Sequence, residues 1–217
     1  AVRQFHAVSR SLEDTERFFR ERKRKEIALA PYTPNYFVPG VDKSRYAEGL
    51  AFLTRRGFRE FSEAIAMDAM IGTFEIAPAI LEKERKLREE GIHIEPFRRD
   101  RLLAYMDFME SSMHGPWIED ARRTVREIVA GRAPEDSIWI AREGARVVGY
   151  CQFIGEHFGP FGVIDEMQGR GLGSVLLART LYTMRVRGHH AAFVLWTGER
   201  AAQGVYGRLG FTISRRF

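Results

Sequence analysis

Apolar positions along the chain switch between a period near 3.6 and a period of 2, and the switches mark out its elements. The spacing predicts a helix over 12–25, a short strand over 26–30, an insert over 31–41 and a second helix stopped at Gly57. Residues 58–67 read as a strand, and 78–90 as a charged helix closed by Gly91. A strand follows over 92–97. Asp100 can then cap a helix whose Leu102, Met106, Met109 and Met113 share a face, ahead of one presenting Ile118, Ala121, Val125 and Val129. Residues 137–142 and 146–157 form a hairpin about Glu143-Gly144-Ala145.

The last third has the densest punctuation. A short strand at Phe161 to Val163 leads into Gln168-Gly169-Arg170-Gly171-Leu172-Gly173-Ser174 and a helix over 172–187, where Leu177, Leu181 and Met184 recur at helical spacing. Residues 190–196 form a strand and 199–209 a helix, which Gly210-Phe211 ends. Glycines between a strand and a helix let the backbone approach a ligand. The first-turn N–H groups and the helix dipole favour a phosphate there. A phosphorylated cofactor is therefore expected. A dinucleotide fingerprint would need glycine at 174, where Ser174 stands, and no G-x-x-x-x-G-K-[ST] loop for a nucleoside triphosphate is present.

With Gln168, Gly171 and Gly173 the turn satisfies [Q/R]-x-x-G-x-[G/A]. In this order of strand, turn, helix, strand and tyrosine-bearing helix, the segment resembles motif A and the C-terminal half of the GNAT superfamily, the acyl-CoA-dependent N-acetyltransferases. The resemblance implies an α/β (α+β) fold, a mixed central sheet flanked by helices. It also implies acetyl-CoA as cosubstrate and a primary amine as acceptor.

Comparing the two halves exposes an internal repeat. Anchoring Gly57-Phe58 on Gly210-Phe211 puts Leu53 at the place of Tyr206 and Arg55 at that of Arg208. Residues 1–75 therefore resemble a partial, degenerate GNAT-like unit. It has no glycine before Gly40 and so lacks the phosphate-cradling turn, and a further upstream segment is expected. Residues 76–91 form the connecting helix and 92–217 the complete domain.

At 217 residues the chain can bury one good core or two small ones. One cysteine, Cys151, excludes an internal disulfide, and no apolar run approaches the length needed to span a bilayer. A cytoplasmic protein is expected. The net charge of +5 raises the question of nucleic acid, but the densest basic run, Arg20 to Lys25, falls at a helix C-terminus where cations complement the dipole. Polyanionic CoA is the simpler beneficiary of the positive field. His189-His190 lacks companions at metal-ligand spacing, so no metal is expected.

Acyl transfer needs a held thioester, a neutral amine and a proton for the departing thiolate. The resemblance assigns cofactor contacts to Val163, Gln168, Gly169, Arg170, Gly171, Leu172, Gly173 and Ser174, with Arg170 adding charge. Glu199 stands where many relatives carry asparagine beside the pantetheine. Tyr206 is the candidate acid, since a phenol of pKa about 10 can protonate a thiolate whose conjugate acid lies near about 8.5. His157 and Glu156 are both candidate bases just ahead of motif A, and only one is expected to line the site. A non-catalytic CoA-binding or scaffold role is the alternative. The resemblance also leaves a homodimer open.

Overall fold

The computed structural model describes residues 2–29, 38–113 and 115–217, with side chains from residue 10 onward. Two compact units are present, Ala1–Gly40 and Val41–Phe217. In the first, helix α1 (Val2–Glu21) starts earlier and ends sooner than the spacing predicts. Its end is followed by Lys23 in the left-handed region at φ 55°, and the Arg22 guanidinium lies 3.5 Å over the Phe18 ring. The strand expected over 26–30 is not formed at 26–29, which find no ladder partner among the described residues. Ala30 and the insert's residues 31–37 lie outside them.

The second unit is built on seven strands: β1 (Ile65–Met70), β2 (Ile92–Pro96), β3 (Ile138–Glu143), β4 (Arg146–Ile154), β5 (His157–Val163), β6 (Ala191–Thr197) and β7 (Thr212–Arg216). Their order is β2-β3-β4-β5-β6-β1-β7. Every neighbouring pair is antiparallel except β5 and β6, which are joined by the crossover helix α6 (Leu172–Val186). The remaining helices are α2 (Ala47–Arg55), α3 (Pro78–Glu89), α4 (Leu102–Ser112), α5 (Gly115–Val129) and α7 (Glu199–Ala201). No helix among the described residues is long and apolar enough to cross a membrane.

The two sheet faces are told apart by their contacts. Trp139 donates from Nε1 to Thr183 Oγ1 on α6 at 3.0 Å, so it and its cross-strand partner Cys151 face α6. Tyr150, one step along β4, turns the other way and meets Tyr105 and Phe108 of α4 edge-on at 6.0 and 5.8 Å. Alternation along a pleated strand then assigns the β4 side chains from Tyr150 onward, past the irregularity in register at 147–149.

The structure corrects four expectations. The boundary at residue 75 does not divide the sheet, because β1 pairs with β6 (Met67↔Val194) and with β7 (Ala66↔Arg215). Its Ile65, Ala66, Met67 and Ala69 are buried in the same core as 92–217. Residues 58–64 precede that strand as irregular chain. The strand expected over 146–157 breaks at Gly155, whose φ of +58° turns the chain back, so β4 and β5 form a second hairpin. Asp100 does not cap α4. It lies within the 3-10 turn Arg99–Arg101 and pairs with Arg98 at 3.2 Å, while α4 has no side-chain cap.

The helix expected over 199–209 is one helical path with three hydrogen-bonding patterns: α7, a π turn Ala202–Tyr206 and a 3-10 turn Gly207–Leu209. Gly57 and Gly210 both adopt φ +90°. Each is followed by the same six-residue stop, Phe58 N–H to Leu53 C=O at 3.1 Å and Phe211 N–H to Tyr206 C=O at 3.2 Å.

Candidate active site

Strands β5 and β6 are joined at one ladder pair among the described residues, His157↔Phe193, reinforced by Phe193 N–H donating to the Glu156 carbonyl at 2.9 Å. Beyond it β5 continues paired to β4 alone, through Phe161↔Cys151 and Val163↔Gly149. Residues of central strands are normally covered, yet Phe161, Gly162, Val163, Leu195 and Trp196 are all half-buried. The two parallel strands thus open as a wedge towards the start of α6.

A bulge shapes one lip of the wedge. Between Cys151↔Phe161 and Phe153↔Phe158, two steps of β4 face three of β5. The extra residue falls at Gly159-Pro160, where Gly159 takes φ +98°, a conformation that costs glycine little. The bulge puts Phe158 and Phe161 on the same side, and both rings meet Tyr206 edge-on, at 6.2 and 5.7 Å. Phe211 completes the cage at 5.4 Å, leaving Tyr206 5% exposed.

The glycine turn leads from β5 into α6. Gly169 (φ +78°) and Gly171 (φ +93°) need left-handed backbone, and Gly171 is the N-cap with no side-chain cap bond. The first helical bond is Val175 N–H to Gly171 C=O at 3.3 Å, so the N–H groups of Leu172, Gly173 and Ser174 have no intrahelical acceptor. Gln168 donates to Asp165 Oδ1 at 2.7 Å and to the Val163 carbonyl at 3.4 Å, which braces the turn from within. Leu172 is a core residue, 1% exposed. A Cβ on Gly173 would stand 3.5 Å from the Phe161 ring, in van der Waals contact, so the helix start lies beside the wedge.

Two expected contacts are differently engaged. Arg170 is ion-paired with Glu90 just past the end of α3. Glu199 is bonded to Arg216 at 2.9 Å and Gln203 at 2.7 Å; those bonds, Arg216 first, hold its carboxyl below the ordinary carboxylate range. The cation at the turn is instead Lys83. Its Cδ lies 3.4 Å from where a Cβ on Gly171 would stand, and it has no carboxylate partner among the described residues, whereas Arg85 and Lys86 on the same helix both pair with Glu82. Helix α3 is held against α6 by the bidentate pair of the buried Glu84 with Arg179. The connecting helix of the sequence reading is thus a wall of the site. Its charge pattern alone gave no sign of this.

Of the two candidate bases, Glu156 is exposed in the β4–β5 turn and His157 is half-buried at the apex of the wedge. The His157 ring stacks on Phe193 at 5.2 Å between centroids. Burial lowers its pKa, the Asp120 carboxylate on α5 pulls it back up, and Arg123 lowers it. Burial also raises the Asp120 carboxyl, which is ion-paired with Arg123 at 2.7 Å. His157 and the Phe158–Tyr206 cage thus flank the same end of β5 from its two faces.

A mixed sheet whose one parallel pair opens towards a glycine-capped helix is a fold shared with solved GCN5-related N-acetyltransferases. Residues 134–213 match the family model described as an acetyltransferase (GNAT) domain. Among solved structures the chain is similar to the GCN5-related glucosamine N-acetyltransferase region of a fungal multi-domain GH3 β-N-acetylglucosaminidase. That likeness has a TM-score of 0.71 and 17% identity over 86% of this chain and 24% of that one. It is also similar to a GCN5-related N-acetyltransferase from Sphaerobacter thermophilus, with a TM-score of 0.59 and 21% identity over 78% of this chain and 54% of that one. The chain therefore spans well under two thirds of either protein. No curated protein matches it significantly.

Proposed function

We propose that the protein transfers an acetyl group from acetyl-CoA to a primary amine by direct attack in a ternary complex. The observation that carries the reading is the β5–β6 wedge ending at three first-turn N–H groups that lack an acceptor within α6. Pyrophosphate on those donors, with Lys83 beside them, would direct the pantetheine arm into the wedge and the thioester towards its apex.

At the apex the amine nitrogen bonds to the thioester carbonyl carbon while the carbon–sulfur bond breaks. The proton lost by nitrogen goes to His157, directly or through water, and burial keeps that imidazole neutral and receptive at pH 7. The departing thiolate takes a proton from the Tyr206 hydroxyl. Glu156, turned to solvent, is the weaker base, and Glu199, bonded to Arg216, the weaker pantetheine contact.

A non-catalytic CoA-binding role uses the same cradle, and the near-complete burial of Tyr206 favours it. Calorimetric titration with acetyl-CoA, repeated on Gly173→Phe, tests the cradle that both readings need. Release of CoA thiol across a panel of amines then separates a catalyst from a binder. Absence of acetyl-CoA binding by the unaltered chain rejects both.

A further inference from the structure

The α4-facing side of β4 carries a polar group that the transfer chemistry above does not use. Gln152 lies two residues from Tyr150 and so faces α4 with it. It is 1% exposed, and neither its amide oxygen nor its amide nitrogen has a hydrogen-bond partner among the described residues. The Tyr105 hydroxyl, on the same side, is also buried without one. Each buried unpaired polar group costs about 1–3 kcal/mol, so such a carboxamide calls for a ligand that satisfies it.

The register places this carboxamide beside the candidate base. Ile154 pairs directly with His157, which makes Gln152 the diagonal neighbour of His157 on that face, about 7–8 Å away between side-chain origins. An amine poised at the imidazole would need only two or three further bonds to bring a second group to Gln152. Met113 packs on the same side over Gly162, the partner of Tyr150, with its Sδ 2.7 Å from where a Cβ on Gly162 would stand. It is an unbranched side chain that repacks readily.

The chemistry of the second group follows from the donors and acceptors present. A carboxamide and a phenol each offer one of both and carry no charge. The charges nearest His157, Asp120 and Arg123, already neutralise one another at 2.7 Å. A carboxylate or second ammonium on the acceptor would be buried without a counter-ion, whereas a hydroxyl would be matched on both its donor and its acceptor side.

We propose that Gln152, with Tyr105, binds a hydroxyl of the acceptor, so that the preferred acceptor is an amine bearing a hydroxyl two or three bonds from its nitrogen. The proposal rests on the transferase reading, with His157 beside the attacking amine.

Two matched pairs of amines test it with the full chain: 2-aminocyclohexanol against cyclohexylamine, and 2-amino-1-propanol against isopropylamine. The unaltered protein is expected to favour the hydroxylated member by at least about a hundredfold in kcat/KM, because a site built for a hydroxyl rejects the analogue lacking it. Gln152→Met, of similar length, should collapse that preference while leaving the calorimetric affinity for acetyl-CoA unchanged. Equal use of both members by the unaltered protein overturns the proposal even if the variant does not fold. So does a preference that survives in Gln152→Met, or turnover of neither pair by a chain that binds acetyl-CoA. Failure to bind acetyl-CoA at all sinks the transferase reading beneath it.

Discussion

The imidazole of His157 stacks on the ring of Phe193 across the β5–β6 seam, with 22° between the planes. The two residues are also the ladder pair at which the wedge closes. Apex and candidate base are therefore one feature, and the stacking that seals the seam also desolvates the ring. Because burial lowers the imidazole pKa below its usual range, the neutral form dominates at pH 7 and the base is lost only on acidification. The acid limb of kcat should lie below pH of about 6.5. His157→Ala should remove that limb and lower kcat by about 10²–10⁴-fold. Stability has the same sign: the unfolded imidazole protonates first as pH falls, so the folded state loses stability through that interval. Measuring kcat against pH for both proteins checks this, and an acid limb that persists in the variant rejects His157 as its source.

Tyr206→Phe keeps the ring that Phe158, Phe161 and Phe211 enclose and removes only the hydroxyl. The fold and the acetyl-CoA affinity should be retained, the latter within about twofold, while kcat falls by about 10²-fold or more. Retained turnover with retained binding would assign Tyr206 to packing and leave the thiolate to be protonated from solvent.

The site was legible in the sequence where its determinants are local. The glycine turn, the helix after it and the Gly210-Phe211 stop are short-range patterns, and each follows from backbone demands that few residues meet. The β3–β4 hairpin was legible from its turn, but pairing between strands distant in sequence was not. Nothing in the strand read over 58–67 says that its partners lie at 191–197 and 212–216, because a local apolar pattern reports a strand and not its neighbour. Side chains that act across space were equally hidden. Arg170 follows the motif in sequence, yet it pairs with Glu90, while Lys83 reaches the turn from a helix that reads only as charged. The break at Gly155 was missed because one glycine within an apolar run signals either a bulge or a turn.

Lys83 makes a prediction separable from the rest of the cradle. If it meets the pyrophosphate, Lys83→Met should weaken acetyl-CoA binding about two- to fivefold, the scale of an exposed charge pair, and flatten its dependence on salt. Binding of S-acetylpantetheine, which lacks the pyrophosphate, should not change. Lys86→Met, which removes a partner of Glu82 on the same helix, is the control. Equal losses from both lysine variants would reduce the effect to the general positive field.

The position of β1 decides how the chain can be cut. Residues 134–213 match the family model, and the sequence reading places the complete domain at 92–217, but both segments omit Ile65–Met70. That strand is the antiparallel partner of β6 and the one strand that β7 pairs with. Removing it opens the edge of β6, detaches β7 and exposes apolar groups whose burial is worth about 1.5–3 kcal/mol for each of Ile65 and Met67. Set against net stabilities of about 5–15 kcal/mol for whole domains, those losses are large. A bare β6 edge is also a template for aggregation. Residues 92–217 alone should therefore be insoluble or lack a cooperative melt, whereas 41–217, which retains all seven strands, should fold. Thermal melting with and without acetyl-CoA checks both fragments. A cooperative, ligand-stabilised melt from 92–217 would show β1 to be an accessory to the sheet and not part of its fold.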